Sequence, residues 1–240
     1  MGQRFFLESS PAPDATTIDL GGQEAQHLIK VMRAKLGEVV ELFDGTDMEW
    51  QAEITDIRRN AATLRLLSSE VISREPSIEL TLGIALPKGD RQKWVIARLV
   101  ELGVQCIVPL TTDYGVAQPV EKAIDRLRRQ VIEASKQCGR NKLMEITAPQ
   151  SFNQFIERAE GQRWIAHPLS APGASEHQSA SSLQSTTGQT CVAIGPEGGF
   201  SINEVQLAEA QDWQALDLGS RILRIETAAL AIASLVLLGK

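Results

Sequence analysis

The run Cys191-Val192-Ala193-Ile194-Gly195-Pro196-Glu197-Gly198-Gly199-Phe200-Ser201 sets four apolar residues ahead of a glycine-rich turn and closes on a serine. Glu204 stands three residues beyond Ser201, and this pair makes a capping box that starts a helix. A short apolar strand, a glycine loop and a capped helix in succession form one βα unit. The same rhythm recurs on both sides of it. Strands are expected over 78–86, 104–110, 144–147, 163–166, 190–194 and 215–218, and helices over 90–102, 120–138, 152–159, 202–211 and 226–238. Such alternation specifies an α/β domain with a mostly parallel sheet covered by helices on both faces. Residues 172–189, rich in Ser, Gln, Gly and Thr, read as a surface loop. The first seventy residues have a different pattern: strands over 39–43, 50–57 and 63–67, with Asp44-Gly45-Thr46-Asp47 as a turn between the first two. One helix interrupts them at 23–34, with His27, Leu28, Val31 and Met32 at helical spacing and Gly37 closing it. This is the pattern of a small β-barrel. The change of rhythm at Ser73-Arg74-Glu75-Pro76 divides the chain into 1–73 and 74–240.

Composition bounds the rest. The 240 residues, 43% hydrophobic and 22% charged, have ordinary globular statistics. The longest nearly apolar stretch, 227–238, falls short of the roughly 20 residues a membrane helix needs, so no span is expected. The start Met1-Gly2-Gln3-Arg4-Phe5-Phe6 has no signal-peptide pattern, and a cytoplasmic location is expected. Cys106, Cys138 and Cys191 are widely spaced with only three histidines in the chain, which suggests reduced thiols and no metal site. The net charge of −6 excludes a uniformly basic protein, but the middle of the chain departs from it. Residues 74–150 hold 12 Lys/Arg against 9 Asp/Glu, whereas 1–73 hold 7 against 12 and 151–240 hold 5 against 9. Within that third, Lys122, Arg126, Arg128, Arg129, Lys136, Arg140 and Lys142 face only Glu121, Asp125 and Glu133. This is either a phosphate-facing helix or a solvated amphipathic one whose apolar stripe is Ile124, Leu127, Val131, Ile132 and Ala134.

In an open α/β sheet, ligands bind beyond the carboxyl ends of the strands, so the loops that follow strands are where chemistry belongs. The Gly195–Gly199 loop lets backbone groups approach a ligand, or is simply a tight turn; it lacks the Gly-Lys-Ser/Thr of a phosphate-binding P-loop. The segment Leu218-Gly219-Ser220-Arg221-Ile222-Leu223-Arg224-Ile225-Glu226-Thr227-Ala228 brings Arg221 and Arg224 to the edge of an almost wholly apolar helix. Charge in such a place needs a partner, and Glu226 offers itself as one. His167-Pro168 after the 163–166 strand is a third candidate. Lys88 and Arg91 at the start of the 90–102 helix oppose the helix dipole, which points to an anionic partner.

Together these motifs resemble the RsmE family of small-subunit ribosomal RNA uracil-N3 methyltransferases, within the SPOUT class of knotted methyltransferases. The likeness runs through Arg4-Phe5-Phe6, His27-Leu28 to Val31-Met32-Arg33, Phe43-Asp44-Gly45, Lys88-Gly89-Asp90, Glu101-Leu102-Gly103-Val104, Gln137-Cys138-Gly139-Arg140, residues 194–199, and Leu218-Gly219 through Ala228. It departs from the common pattern at Ser220, Ile225 and Ala97-Arg98-Leu99-Val100. The resemblance implies a PUA-like barrel, an α/β domain ending in a trefoil knot, a homodimer, and S-adenosylmethionine (SAM) as methyl donor. It further implies, as acceptor, N3 of one uridine near the decoding centre of free small-subunit ribosomal RNA or of the assembled subunit. It places the SAM site on His167, Pro168, Ile194, Gly195, Pro196, Glu197, Gly198, Gly199, Leu218, Gly219, Ser220, Ile222, Leu223 and Thr227.

Uracil N3 carries an imide proton, so its methylation needs both cations and a proton acceptor. Arg221, Arg224 and Arg140 are the expected cations, the last arriving across the dimer, and Glu197 or Glu226 the expected acceptor. RNA contacts are expected from Arg4, Lys30, Arg33 and Lys35 in the barrel and from Lys88, Arg91, Arg126, Arg129 and Arg140 beyond it. Two other readings fit the same pattern: a ribosome-assembly protein that kept the fold without the activity, and a SPOUT enzyme acting at another RNA position. A nucleotide-binding oxidoreductase does not fit, because the glycine spacing is wrong.

Overall fold

The computed structural model describes residues 3–115, 121–185 and 188–238. Met1 and Gly2, the expected helix start at Val120, the side chain of Lys122, and residues 186–187 of the polar loop lie outside the described residues. The chain forms two compact units, Met1–Glu75 with Ser135–Leu143, and Pro76–Ala134 with Met144–Lys240.

In the first unit, β1 (Arg4–Phe6), β2 (Thr17–Leu20), β3 (Val39–Phe43), β4 (Met48–Ile57) and β5 (Ala62–Val71) form a sheet of order β1-β3-β4-β5-β2. Only the β1–β3 pair is parallel. Trp50, Ala52 and Ile54 of β4 alternate inward and join Phe5, Leu28, Leu42 and Leu64 in one apolar core. Two register shifts between β4 and β5, one with the extra residue Leu67 in β5 and one with Thr55 in β4, bend the strands and curl the sheet. The β3–β4 turn is the expected one: the Asp44 carboxylate accepts from Thr46 N–H at 3.0 Å, and Gly45 has φ +90°.

The helix expected over 23–34 is shorter and mixed. Its α-helical part, α1 (Gly22–Gln26), passes into a π turn over His27–Val31, and Met32 N–H donates to the His27 carbonyl at 3.0 Å. Arg33, at φ +53°, ends it in place of Gly37, and Ala34 N–H reaches back to the Leu28 carbonyl at 3.1 Å.

A single division at 73/74 does not anticipate Ser135–Leu143, which belongs to the first unit through polar contacts that leave no periodic signature. Lys136 Nζ lies 2.9 Å from Glu24 Oε1. The fully buried Asn141 donates to Glu49 Oε2 at 3.0 Å and to the Ile72 carbonyl at 2.9 Å, and it accepts from Arg4. Arg140 grips Glu75 side-on, at 2.8 Å and 2.5 Å.

The second unit holds β6 (Glu79–Ile84), β7 (Cys106–Thr111), β8 (Glu145–Ile146), β9 (Gln150–Ser151), β10 (Gln162–Ala166), β11 (His177–Ser179), β12 (Gln189–Ile194) and β13 (Gln214–Asp217). Its sheet is parallel throughout, in the order β11-β13-β10-β12-β6-β7-β8, with β9 on β7. The helices are α2 (Asp90–Leu102), α3 (Glu121–Cys138, of which Ser135 onward belongs to the first unit), α4 (Phe152–Arg158), α5 (Ile202–Glu209) and α6 (Ile225–Leu237). Phe155, Ile156, Val205 and Ala208 cover one face of the sheet, while α6 packs against β6, β12 and α2. Burial on both faces is why β12 reads as a continuous apolar run. Ser201 and Glu204 form the expected capping box, at 3.2 Å and 2.8 Å. β9 and β11 have no counterpart among the expected strands, and β11 shows that the polar stretch 172–189 is not wholly a loop. Ile124, Leu127, Val131 and Ala134 are the buried stripe of α3.

Candidate functional site

The carboxyl ends of β10, β12 and β13 open onto a cavity of about 490 Å³. Its walls are the three loops that follow these strands, with Tyr114 from the loop after β7. His167 and Pro168 come from the first loop, Gly195, Pro196, Glu197, Gly198 and Gly199 with Ile194 from the second, and Leu218, Gly219, Arg221, Ile222 and Leu223 from the third. Two of the expected cofactor residues, Ser220 and Thr227, are exposed and lie off the cavity wall. Tyr114, Phe200 and Leu216 line it without having been expected. Leu216 and Phe200 are apolar residues that pattern alone assigns to core. Tyr114 sits in a loop with no periodic signal.

Glycine is required at this site. A Cβ on Gly195 would lie 3.1 Å from the Phe200 ring, and Gly199 and Gly219 adopt φ of +74° and +104°. Hydrogen bonds between neighbouring loops fix their positions. Ser201 Oγ donates to Asp113 Oδ2 at 2.6 Å, and Glu204 Oε1 accepts from Asp113 N–H at 3.0 Å, tying the loop after β7 to the start of α5. Asp217 Oδ1 accepts from Leu169 N–H at 3.2 Å, tying the His167 loop to the end of β13.

His167 is only 3% exposed, and its ring stacks on His177 at 5.6 Å between centroids. Neither ring nitrogen makes an aligned hydrogen bond among the described residues. Burial, followed by the neighbouring His177, pushes the His167 pKa below its ordinary value; the carbonyls of Ala171 and Pro172 and the charge of Glu209 pull weakly the other way. The unfolded chain therefore takes up a proton before the folded one does, and His167 weakens the fold as pH falls through about 6.5. Replacing His167 by asparagine is expected to flatten that part of the stability–pH curve, as followed by urea unfolding between pH 7.5 and 5.5. An unchanged slope would show that His167 does not contribute to it.

The charged residues do not pair as the sequence suggests. Glu226, expected to partner Arg221 or Arg224, is held instead by Arg91, whose guanidinium lies 3.4 Å from Glu226 Oε1 and 3.4 Å from Glu197 Oε1. The residue is 8% exposed and its Oε2 has no partner among the described residues. Its position in the first turn of α6 places the carboxylate at the positive end of the helix dipole. Arg221 and Arg224 are exposed and make no ion pair among the described residues. Arg140 does not stand open to a substrate: it is 4% exposed and bound by Glu75.

Arg4 is likewise no surface cation. Its side chain is 8% exposed and lies 2.6 Å from Glu41 and 3.7 Å from Glu49. The interior position next to Phe43 in β1 explains this; the sequence pattern shows the charge but not its burial. Lys30, Arg33, Lys35, Lys88, Arg126 and Arg129 are exposed. The cysteines are free, and burial raises the thiol of Cys191 and pushes Cys106 up to about 12. No group of potential metal ligands occurs among the described residues, and no helix there is long and apolar enough to cross a membrane.

Residues 73–237 match the RNA methyltransferase domain family, and residues 20–67 match the RNA methyltransferase PUA domain. The chain is 34% identical to the ribosomal RNA small subunit methyltransferase E of Synechocystis sp., over 88% of this chain and 70% of that protein. It is 32% identical to the same-named protein of Rickettsia conorii, over 98% and 96%. A Legionella pneumophila protein solved with bound SAM superposes with a TM-score of 0.88 at 30% identity, covering 98% of this chain and 97% of that one. A ribosomal RNA small subunit methyltransferase E from Neisseria gonorrhoeae, also bound to SAM, gives 0.83 at 27% identity, over 98% and 96%.

Proposed function

The chain belongs to the ribosomal RNA small subunit methyltransferase E family, and from that premise we propose that it methylates N3 of one uridine near the decoding centre. It is a SAM-dependent methyltransferase of small-subunit ribosomal RNA. The observation that carries the proposal is that the three loops at the carboxyl ends of β10, β12 and β13 wall one cavity.

The cavity suits SAM on its own terms. Its volume lies within the usual range for ligand sites, about 300 to 1,000 Å³. The glycines of the second and third loops leave backbone groups open to a polar ligand, and Ile194, Leu216, Leu218 and Leu223 offer apolar walls. Those residues, with His167 and Pro168, would hold the cofactor. Bound there, SAM supplies an electrophilic methyl group whose bond to sulfur breaks as the bond to uridine N3 forms.

The protein's own contribution is mainly position, which in well-oriented reactions reaches about 7 to 11 kcal/mol. Arg221, on the cavity wall, and Arg224, at the N-cap of α6, meet the charge that spreads onto the uracil carbonyl oxygens. Glu197 or Glu226 receives the N3 proton. A paired base hides N3, so the uridine reacts unpaired or extruded, with flanking RNA held by Lys30, Arg33 and Lys35 in the first unit and by Lys88, Arg91, Arg126 and Arg129. Family membership also supports a homodimer, a cytoplasmic enzyme, and a C-terminal segment threaded as a trefoil knot.

The test is incubation of the purified protein with labelled SAM and small ribosomal subunits from cells lacking its gene, followed by nucleoside mass spectrometry. Label is expected as 3-methyluridine. Replacing Arg221 or Arg224 by alanine is expected to lower turnover about 100-fold with SAM affinity retained, the lower end of the range for loss of one charge-stabilising donor. Label in another nucleoside overturns the assignment to N3; wild-type turnover in both variants overturns the arginine roles.

A further inference from the structure

Beside the cofactor cavity lies a second one of about 240 Å³. It is walled by residues 85–88, which follow β6, by Gly115, and by Pro196, Glu197 and Ile225, the last three shared with the larger cavity. Below the usual size of sites for drug-sized ligands, it suits one heterocyclic ring. Because the two cavities share a wall, a ring here sits next to whatever the first one holds.

Resting on the function proposed above, we propose that this second cavity receives the acceptor base, with Lys88 and Glu197 as the groups that recognise uracil and carry its N3 proton chemistry. The edge of uracil presents a carbonyl, an N–H and a carbonyl. A carboxylate accepts from the N–H, and an ammonium donates to a flanking carbonyl. Cytosine has a lone pair at N3, which a carboxylate repels, so the same pair discriminates between the two pyrimidines. The N3 proton passes to Glu197 first, the pair left by the broken N–H bond then forms the bond to the methyl carbon, and the electrons of the broken carbon–sulfur bond stay on sulfur. Negative charge spreads over O2 and O4 on the way.

The placement of Lys88 then makes physical sense. It stands two residues before α2, where the helix dipole disfavours a cation in the resting protein, and both the dipole and the ammonium favour an anionic base beside them. Arg91 is a positioning residue in this scheme: its guanidinium spans Glu197 and Glu226, each at 3.4 Å, and fixes the carboxylate that faces N3.

The test uses the whole protein and small subunits from cells lacking its gene. Lys88→Ala is expected to bind SAM within about twofold of wild type, and Lys88→Ala and Glu197→Gln are each expected to form 3-methyluridine at least about 100-fold more slowly at saturating SAM. Glu197→Gln should recover as pH rises, because hydroxide then removes the proton, and Lys88→Arg should retain part of the rate. Arg91→Lys should alter the pH profile of the rate more than SAM affinity. Small-subunit RNA substituted with 4-thiouridine should photocrosslink within residues 85–88. Absence of 3-methyluridine with the wild-type protein overturns the function and this subsite with it. Product from the wild type and, at saturating SAM, equally fast product from Lys88→Ala or Glu197→Gln overturns the subsite alone, as does a large loss of SAM affinity in Lys88→Ala.

Discussion

Replacing Gly195 by valine is expected to weaken SAM binding about 100-fold in calorimetric titration, with the secondary structure of the chain unchanged. A Cβ at this position meets two carbons of the Phe200 ring at 3.1 Å and the Gly199 carbonyl carbon at 3.3 Å, closer than ordinary contact. Phe200 is 6% exposed, its ring packs against Phe152 at 4.9 Å, and the open space it borders is the cofactor cavity itself. Interiors packed at this density pass such a displacement on to their neighbours. Either the Phe200 ring enters the cofactor cavity or the 195–199 loop, one of its three walls, moves. A shift of the order of 1 Å in positioning groups costs about 10²-fold, equivalent to about 2.7 kcal/mol. Alanine, which brings the Cβ alone, should cost less than valine. Wild-type affinity in the valine variant would show that cofactor binding does not depend on how this loop packs against Phe200.

The site was legible in the sequence to the extent that it is made of local patterns. The strand, glycine turn and capped helix at 191–209 need only neighbouring residues for their reading, as does α2 with Gly103 in the left-handed position at its end. The cofactor loops follow from the rule that ligands gather at strand carboxyl ends, sharpened by family resemblance. What the sequence hid depends on partners far away in the chain. Arg91 reaches Glu226 across 135 positions, and Asn141 reaches Glu49 across 92. A charge has no periodicity that reveals whether it will be buried, so Arg4 and Arg140 read as surface cations although both are interior. His177-Gln178-Ser179 escaped for another reason: a three-residue polar edge strand lacks both the alternation and the apolar run by which strands are recognised. The π turn at His27–Val31 was missed because its apolar spacing is compatible with an ordinary helix.

Arg140→Ala is expected to destabilise the first unit by about 3 to 5 kcal/mol, the usual cost of removing one partner of a buried ion pair. Its guanidinium is 4% exposed and meets both oxygens of Glu75, so truncation leaves a carboxylate that is mostly shielded from water without its counter-charge. The same segment carries Lys136 to Glu24 and Asn141 to Glu49, so loosening it threatens these contacts as well. Thermal and urea unfolding should show the loss directly, and Glu75→Gln should reproduce much of it. The paired replacement Arg140→Met with Glu75→Leu separates the two roles this arginine can be given. If Arg140 serves the fold, the double variant regains most of the stability and, at temperatures below its transition, methylates at a rate close to wild type. Restored stability with turnover still depressed about 100-fold would instead return Arg140 to the catalytic cations, since apolar packing replaces a buried ion pair but not a charge beside the reacting base.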